Sequence, residues 1–164
     1  MQNTLIKSKL KSNNREAVEF LKVVVFKMGN LNLALRIENV YRVSNETPVY
    51  SSGVNSVGIA HVGDRGVTVV DLHRRLFQFS ITNQVFQRRY LIITQNKAGE
   101  LYGIPVAVVP ALIKISLSSI RPIPESYRHA NMLGVASHYC HISQDVEESL
   151  TIFLLDIEQL LQGS

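Results

Sequence analysis

Two stretches of this chain follow one pattern, and a fold must accommodate both. Residues 23–26, "VVVF", and 91–94, "LIIT", are short runs rich in β-branched residues. Each leads into a polar turn containing glycine, "KMGN" and "QNKAGE". Next come "LALRIENVYRV" and "YGIPVAVVPAL", offset by 69 residues. Apolar residues alternate at Leu33, Leu35 and Ile37, and again at Tyr102, Ile104 and Val106. Alternation at period two predicts half-buried strands.

The repetition continues. Gly58-Ile59-Ala60 is matched by Gly134-Val135-Ala136, and "VTVVDLHRRL" by "TIFLLDIEQL". The offset grows along the chain, so the second copy carries insertions. Each copy spans about 70 residues of short strands and turn residues, which predicts a small β-barrel or sandwich. A unit of that size buries little surface alone, so the two lobes are expected to pack on a shared apolar seam. The expected fold is mostly β: two small barrels from an internal duplication, with few short helices. Pro105 and Pro110 bracket "VAVV" and place those strand ends at an edge or bulge. "NREAVEFL" (14–21) suits a turn or two of helix. Asp71 and Asp156 each stand between a β run and a helical segment, where a carboxylate caps the first free N–H groups. Gln159, three residues after Asp156, adds capping-box spacing.

Several function classes find no support in the residues. One cysteine, Cys140, excludes an intrachain disulfide and points to the cytosol. No signal-peptide core is visible, and the longest apolar run, "LYGIPVAVVPALI", is shorter than the ~20 residues that span a bilayer. The net charge of +4 owes much to Lys7, Lys9, Lys11 and Arg15, a short basic tail without aromatics that reads as a solvated terminus. With no Trp and scattered charge, a nucleic-acid groove is not expected. His138, Cys140 and His141 crowd into four residues without the second ligand pair that zinc sites use, so no metal or other cofactor is expected. No nucleophile signature occurs, hence no catalytic residue is assigned. "GDRG" (63–66) lacks P-loop spacing and precedes a strand; it reads as a β-turn with Gly63 or Gly66 at positive φ.

Taken in order, "EFLKVVVFKMGNLNLALRIENVYRV", "GIAHVGDRGVTVVDLHRRL", "GELYGIPVAVVPALIKISLSSIRPIP", "MLGVA" and "FLLDIEQLL" resemble the CheW family of bacterial chemosensory adaptors. No single piece is specific; their order over some 140 residues carries the resemblance. It implies two five-stranded, SH3-like barrels on a common core and no catalysis. It implies a domain over 20–161 behind a basic extension (1–19), with barrels near 20–86 and 87–161 that can exchange terminal segments. The implied partners are the regulatory domain of a CheA-type histidine kinase and the cytoplasmic tip of a chemoreceptor. The implied setting is a cytoplasmic chemosensory, phototaxis or pilus-motility array at the membrane, without nucleic acid or membrane insertion. Alone the protein would be a monomer; with partners it would join an array or ring.

Carried over by position, the receptor groove would include Val40 and Val43 from the first lobe and Gly103, Ile104 and Val106 from the second. A groove that takes a helix needs apolar anchors and a glycine for close approach. The valines and Ile104 read equally well as barrel core. Counted back from Asp71, the family's turn arginine falls on Gly63, its next glycine on Asp64 and its Asn on His61. The family's Pro falls on Thr68 and its second-lobe Asp on Ala107. Arg65 stands two residues on and could replace the arginine from an extended segment, but not across a tight turn. His61, Gly63, Asp64 and Arg65 are therefore the expected seat of partner choice. Two alternatives remain: a CheW-like docking module that regulates an enzyme without meeting a receptor, and a small metal- or ligand-binding barrel built on His138–His141.

Overall fold

The computed structural model describes residues 19–45, 47–51, 57–77, 90–130, 134–143 and 147–161. The basic tail, Arg88-Arg89 and residues 14–18 of the expected N-terminal helix lie outside these. Phe20 and Leu21, placed in that helix from the sequence, instead open β1, because Leu21 turns toward the interior beside Val23.

The strands are β1 (Phe20–Met28), β2 (Leu31–Arg36), β3 (Val40–Asn45), β4 (Tyr50–Ser51), β5 (Val57–Val62) and β6 (Arg65–Val70). They continue as β7 (Tyr90–Gln95), β8 (Leu101–Val106), β9 (Ala111–Ser116), β10 (Ile120–Pro122), β11 (Ala136–Ser143) and β12 (Ser149–Leu155). Among the described residues three short α-helices punctuate them: α1 (Leu72–Phe77), α2 (Glu125–Ala130) and α3 (Ile157–Leu161).

The strands form two sheets of one plan. The first runs β4-β5-β6-β8-β7-β3 and the second β10-β11-β12-β2-β1-β9. Each has five strands of six or more residues and one short edge strand. In both, two antiparallel hairpins meet at one parallel pair, β6 with β8 and β12 with β2. The β1–β2 hairpin of the first repeat thus completes the second sheet, and the β7–β8 hairpin of the second repeat completes the first. Each sheet is built across the repeat boundary.

The ladders also set the alignment of the repeats. Val69 pairs with Gly103 and Leu154 with Ala34. Position 69 therefore matches 154, and Asp71 matches Asp156 with an offset of 85. "VTVVDLHRRL" superposes on "IFLLDIEQLL", one residue beyond the match read from the strings. Gly58-Ile59-Ala60 and Gly134-Val135-Ala136 do not coincide. Ala60 pairs with Val67, whereas Ala136 pairs with Leu155 beyond a bulge at 136/138. The true counterpart of Ala60 is Cys140, which pairs with Ile152.

Three apolar clusters follow. Ala60, Val67, Val69, Leu91, Ile93 and Leu101 pack together on one face of the first sheet, its interior, and Val23, Ala34, Ile115, Cys140, Ile152 and Leu154 on that of the second. Between the sheets lies the largest cluster, with Phe26, Leu33 and Leu35 from one hairpin, Ile92, Ile104 and Val106 from the other, and Leu72, Leu76, Ile157 and Leu160 from the helices. The exchanged hairpins are therefore buried on both faces, which is why Leu33, Ala34 and Leu35 are all inaccessible. Period-two alternation predicted half-buried strands; two-sided burial overrides it here. Pro105 lies within β8, an inner strand, not at an edge. The ladder to β6 engages only Tyr102 and Gly103, so the missing N–H at 105 costs no bond on that side. Pro110 directly precedes β9, which is an edge.

Candidate docking surface

The turn singled out from the sequence is a two-residue hairpin loop. Val62 pairs with Arg65 across Gly63 and Asp64, and Gly63 adopts φ +62°. A left-handed first loop position is what tight hairpins require, and glycine meets it without strain. Because 63 and 65 lie on opposite sides of this tight loop, Arg65 does not share an extended face with position 63. Its guanidinium is committed elsewhere. Arg65 Nη2 donates to the carbonyl of Gly99, in the β7–β8 loop, at 2.8 Å, and its Cζ lies 5.6 Å from the Tyr41 ring centroid. Arg65 thus pins three elements, β6, the β7–β8 loop and β3. His61 and Asp64 are exposed beside it.

The five groove candidates divide by burial. Val43 is 41% exposed and Val40 half-buried, both on β3 at the edge of the first sheet. Ile104 and Val106 are core residues between the sheets and offer no outer surface. Gly103 faces the first sheet's interior, where a Cβ would lie 2.8 Å from Leu91 Cδ1 and 3.0 Å from its Cγ. That close approach is made by Leu91, not by a partner helix. The matching site in the second sheet holds Ala34, with Val23 in place of Leu91. A larger neighbour goes with the smaller residue, so the interior volume is kept.

The aspartates act on backbone. Arg74 N donates to Asp71 Oδ1 at 3.0 Å; Glu158 N and Gln159 N donate to Asp156 Oδ1 at 3.1 and 3.4 Å. Arg75 Nη2 donates to the Gln159 carbonyl at 2.9 Å, joining α1 to α3 across the seam. Its Nη1 is buried with no hydrogen-bond partner among the described residues, and burial lowers its pKa.

The histidine–cysteine cluster separates along β11. Cys140 points inward and is inaccessible, and burial pushes its thiol pKa up. His138 and His141 are exposed. His141 Nδ1 lies 2.8 Å from Thr151 Oγ1, and its ring meets Tyr139 edge-on at 5.8 Å. Among the described residues no three His, Cys, Asp or Glu converge as a metal set would. Tyr139, His141, Thr151 and Phe153 instead floor a shallow depression of about 290 Å³, roofed by Ile123, Pro124 and Tyr127.

Features that sequence reading passed over also line the surface. Tyr41 sits at a register shift in β3, which turns its ring toward Arg65. Tyr50 and Ile59, directly paired on β4 and β5, are 66% and 56% exposed. An aromatic beside a bulge has no local sequence signature; the Tyr50–Ile59 pair appears only once the strands are in register.

A family model described as the CheW-like domain matches residues 22–164. The chain belongs to the CheW-like family. The crystal structure of the scaffolding protein TtCheW from Thermoanaerobacter tengcongensis superposes with a TM-score of 0.67 at 19% identity. The match covers 85% of this chain and 86% of that one. At that identity the likeness speaks for the fold. Among curated protein sequences, none matches the chain. Membership in the CheW-like family makes this a non-catalytic protein of the chemotaxis-adaptor type. Among the described residues no helix is long and apolar enough to cross a membrane.

Proposed function

We propose that this CheW-like protein couples the cytoplasmic tip of a chemoreceptor to the regulatory domain of a CheA-type histidine kinase. The match to the family over residues 22–164 carries the reading. The surface supports it, because a scaffold without a catalytic site must act through exposed contacts, and large apolar residues stand exposed on the first sheet at Tyr41, Val43, Tyr50 and Ile59. Val40 and Val43 are the receptor contacts in this reading, while Ile104 and Val106 hold the seam and Gly103 packs against Leu91 inside the first sheet. Arg65 shapes the surface by fixing Tyr41 to the hairpin turns.

Calorimetric titration of the purified protein against each partner from the same cell tests the reading. Both partners bind, and Val43→Asp weakens the receptor tip at least tenfold while sparing the kinase domain. Absence of binding to either partner sinks the coupling role; binding to the kinase alone leaves a docking module without a receptor.

A further inference from the structure

The apolar run before Lys114 contains more than core. Residues 101–113 hold no charged side chain, and within them Val108, Val109 and Leu112 are 62%, 60% and 61% exposed. Single exposed apolar residues are ordinary; three within five residues mark a contact surface. They lie on β9 and the connection leading into it. β9 is the last strand of the second sheet, pairing with β1 in unbroken register from Phe20–Ser116 to Val25–Ala111. Among the described residues no strand lies on its other side. Such an edge presents unpaired N–H and C=O groups that an added strand can complete.

The charges on this face say what kind of strand fits. Lys22 and Lys114 stand directly opposite each other, both exposed, and among the described residues neither has an ion-pair partner. Like charges so placed destabilise a pair. Leu112 and Lys114 are two residues apart, so they share a face, with Phe20 beyond Lys22. We infer that β9 is a docking edge for an extended segment of a partner protein bearing an acidic residue two positions from an apolar one. The apolar side chain covers Leu112, the carboxylate sits against the two lysines, and the segment's backbone completes the free edge. A lipid surface would use the lysines and valines but leave the strand edge idle. A second copy of the chain would bring two more lysines to a pair already repelling. This inference does not depend on the receptor or the kinase.

A fluorescein-labelled peptide, Ser-Thr-Val-Thr-Glu-Thr-Ser, is the probe. It binds the full chain and shifts backbone amide resonances of residues 111–116. Lys114→Glu weakens binding at least tenfold, and replacing the peptide's glutamate by lysine restores it to that variant. Lys27→Glu, an exposed lysine of β1 beyond the reach of β9, leaves binding unchanged. N-methylation of alternate peptide amides abolishes binding. Equal binding by the N-methylated peptide would overturn strand addition. No peptide binding, whether or not the protein binds phosphatidylglycerol vesicles or dimerises through β9, would overturn the inference as a whole.

Discussion

The two sheets share a strand plan but finish their outer faces differently. In the second, Tyr139, His141 and Phe153 lie beneath Ile123, Pro124 and Tyr127, at the start of α2. The ladder equivalents in the first are Ile59, His61 and Thr68, and Ile59 is 56% exposed beside Tyr50 at 66%. The connections explain the contrast: residues 123–135 join β10 to β11 and fold α2, while only residues 52–56 join β4 to β5. The free edges differ too. β3 shifts register at Tyr41, which Arg65 overlies, whereas β9 is regular and bears one charge, Lys114. Bulges and covering groups protect an edge from unwanted pairing. Duplication fixed one scaffold, and insertions and single side chains then gave each copy its own surface.

Interior equivalence is the sharpest point to break. Gly103→Ala sets a methyl against Leu91, and overpacking of that kind costs about 1–3 kcal/mol. Adding Leu91→Val reproduces the Val23–Ala34 pair of the other sheet and recovers part of the loss; urea denaturation of both variants measures this. Additive losses would show that the two interiors are not interchangeable.

The caps come next. Asp71→Ala and Asp156→Ala each lose about 0.5–2 kcal/mol by thermal or urea melts. The larger loss belongs to Asp71, which is 3% exposed where Asp156 is half-buried. Equal losses would mean that burial does not distinguish the caps.

Arg65→Ala removes an exposed hydrogen bond and a cation–π contact, with a stability loss of about 1 kcal/mol or less. Its effect is local: amide exchange rises in the β7–β8 loop around Gly99 and not in the β1–β2 turn.

The smallest effect is on Cys140, the counterpart of Ala60. Its side chain is inaccessible and burial raises its thiol pKa, so at pH 8 the native protein resists a thiol reagent that labels it in denaturant. The stability from the protonated, buried thiol is intact below the unfolded thiol value of about 8.5 and is lost as pH rises through the higher folded value.

Much of this was legible in the chain. The mostly-β content, the duplication and the short helices could be read because strand patterning and turn residues are local signals, whereas the family was legible only as a resemblance carried by the order of several motifs. Asp71 and Asp156 were legible as caps for the same reason, since a cap and its N–H groups lie within three residues. The groove set was less legible. Val43 is a surface residue, but Ile104 and Val106 are core and Gly103 answers to Leu91, because alternation within a strand does not say what covers its second face. Arg65 was visible in sequence as a cation near a turn; that it holds Gly99 and Tyr41 depends on residues 34 and 24 positions away.

The sequence by itself determined which segments become strands, where they turn and that there are two copies, for these rest on side-chain chemistry within a few residues. Only the tertiary structure decided that the copies trade hairpins. Apolar β1–β2 and β7–β8 can bury both faces only between a sheet interior and the common seam, and each finds that place in the other repeat's sheet.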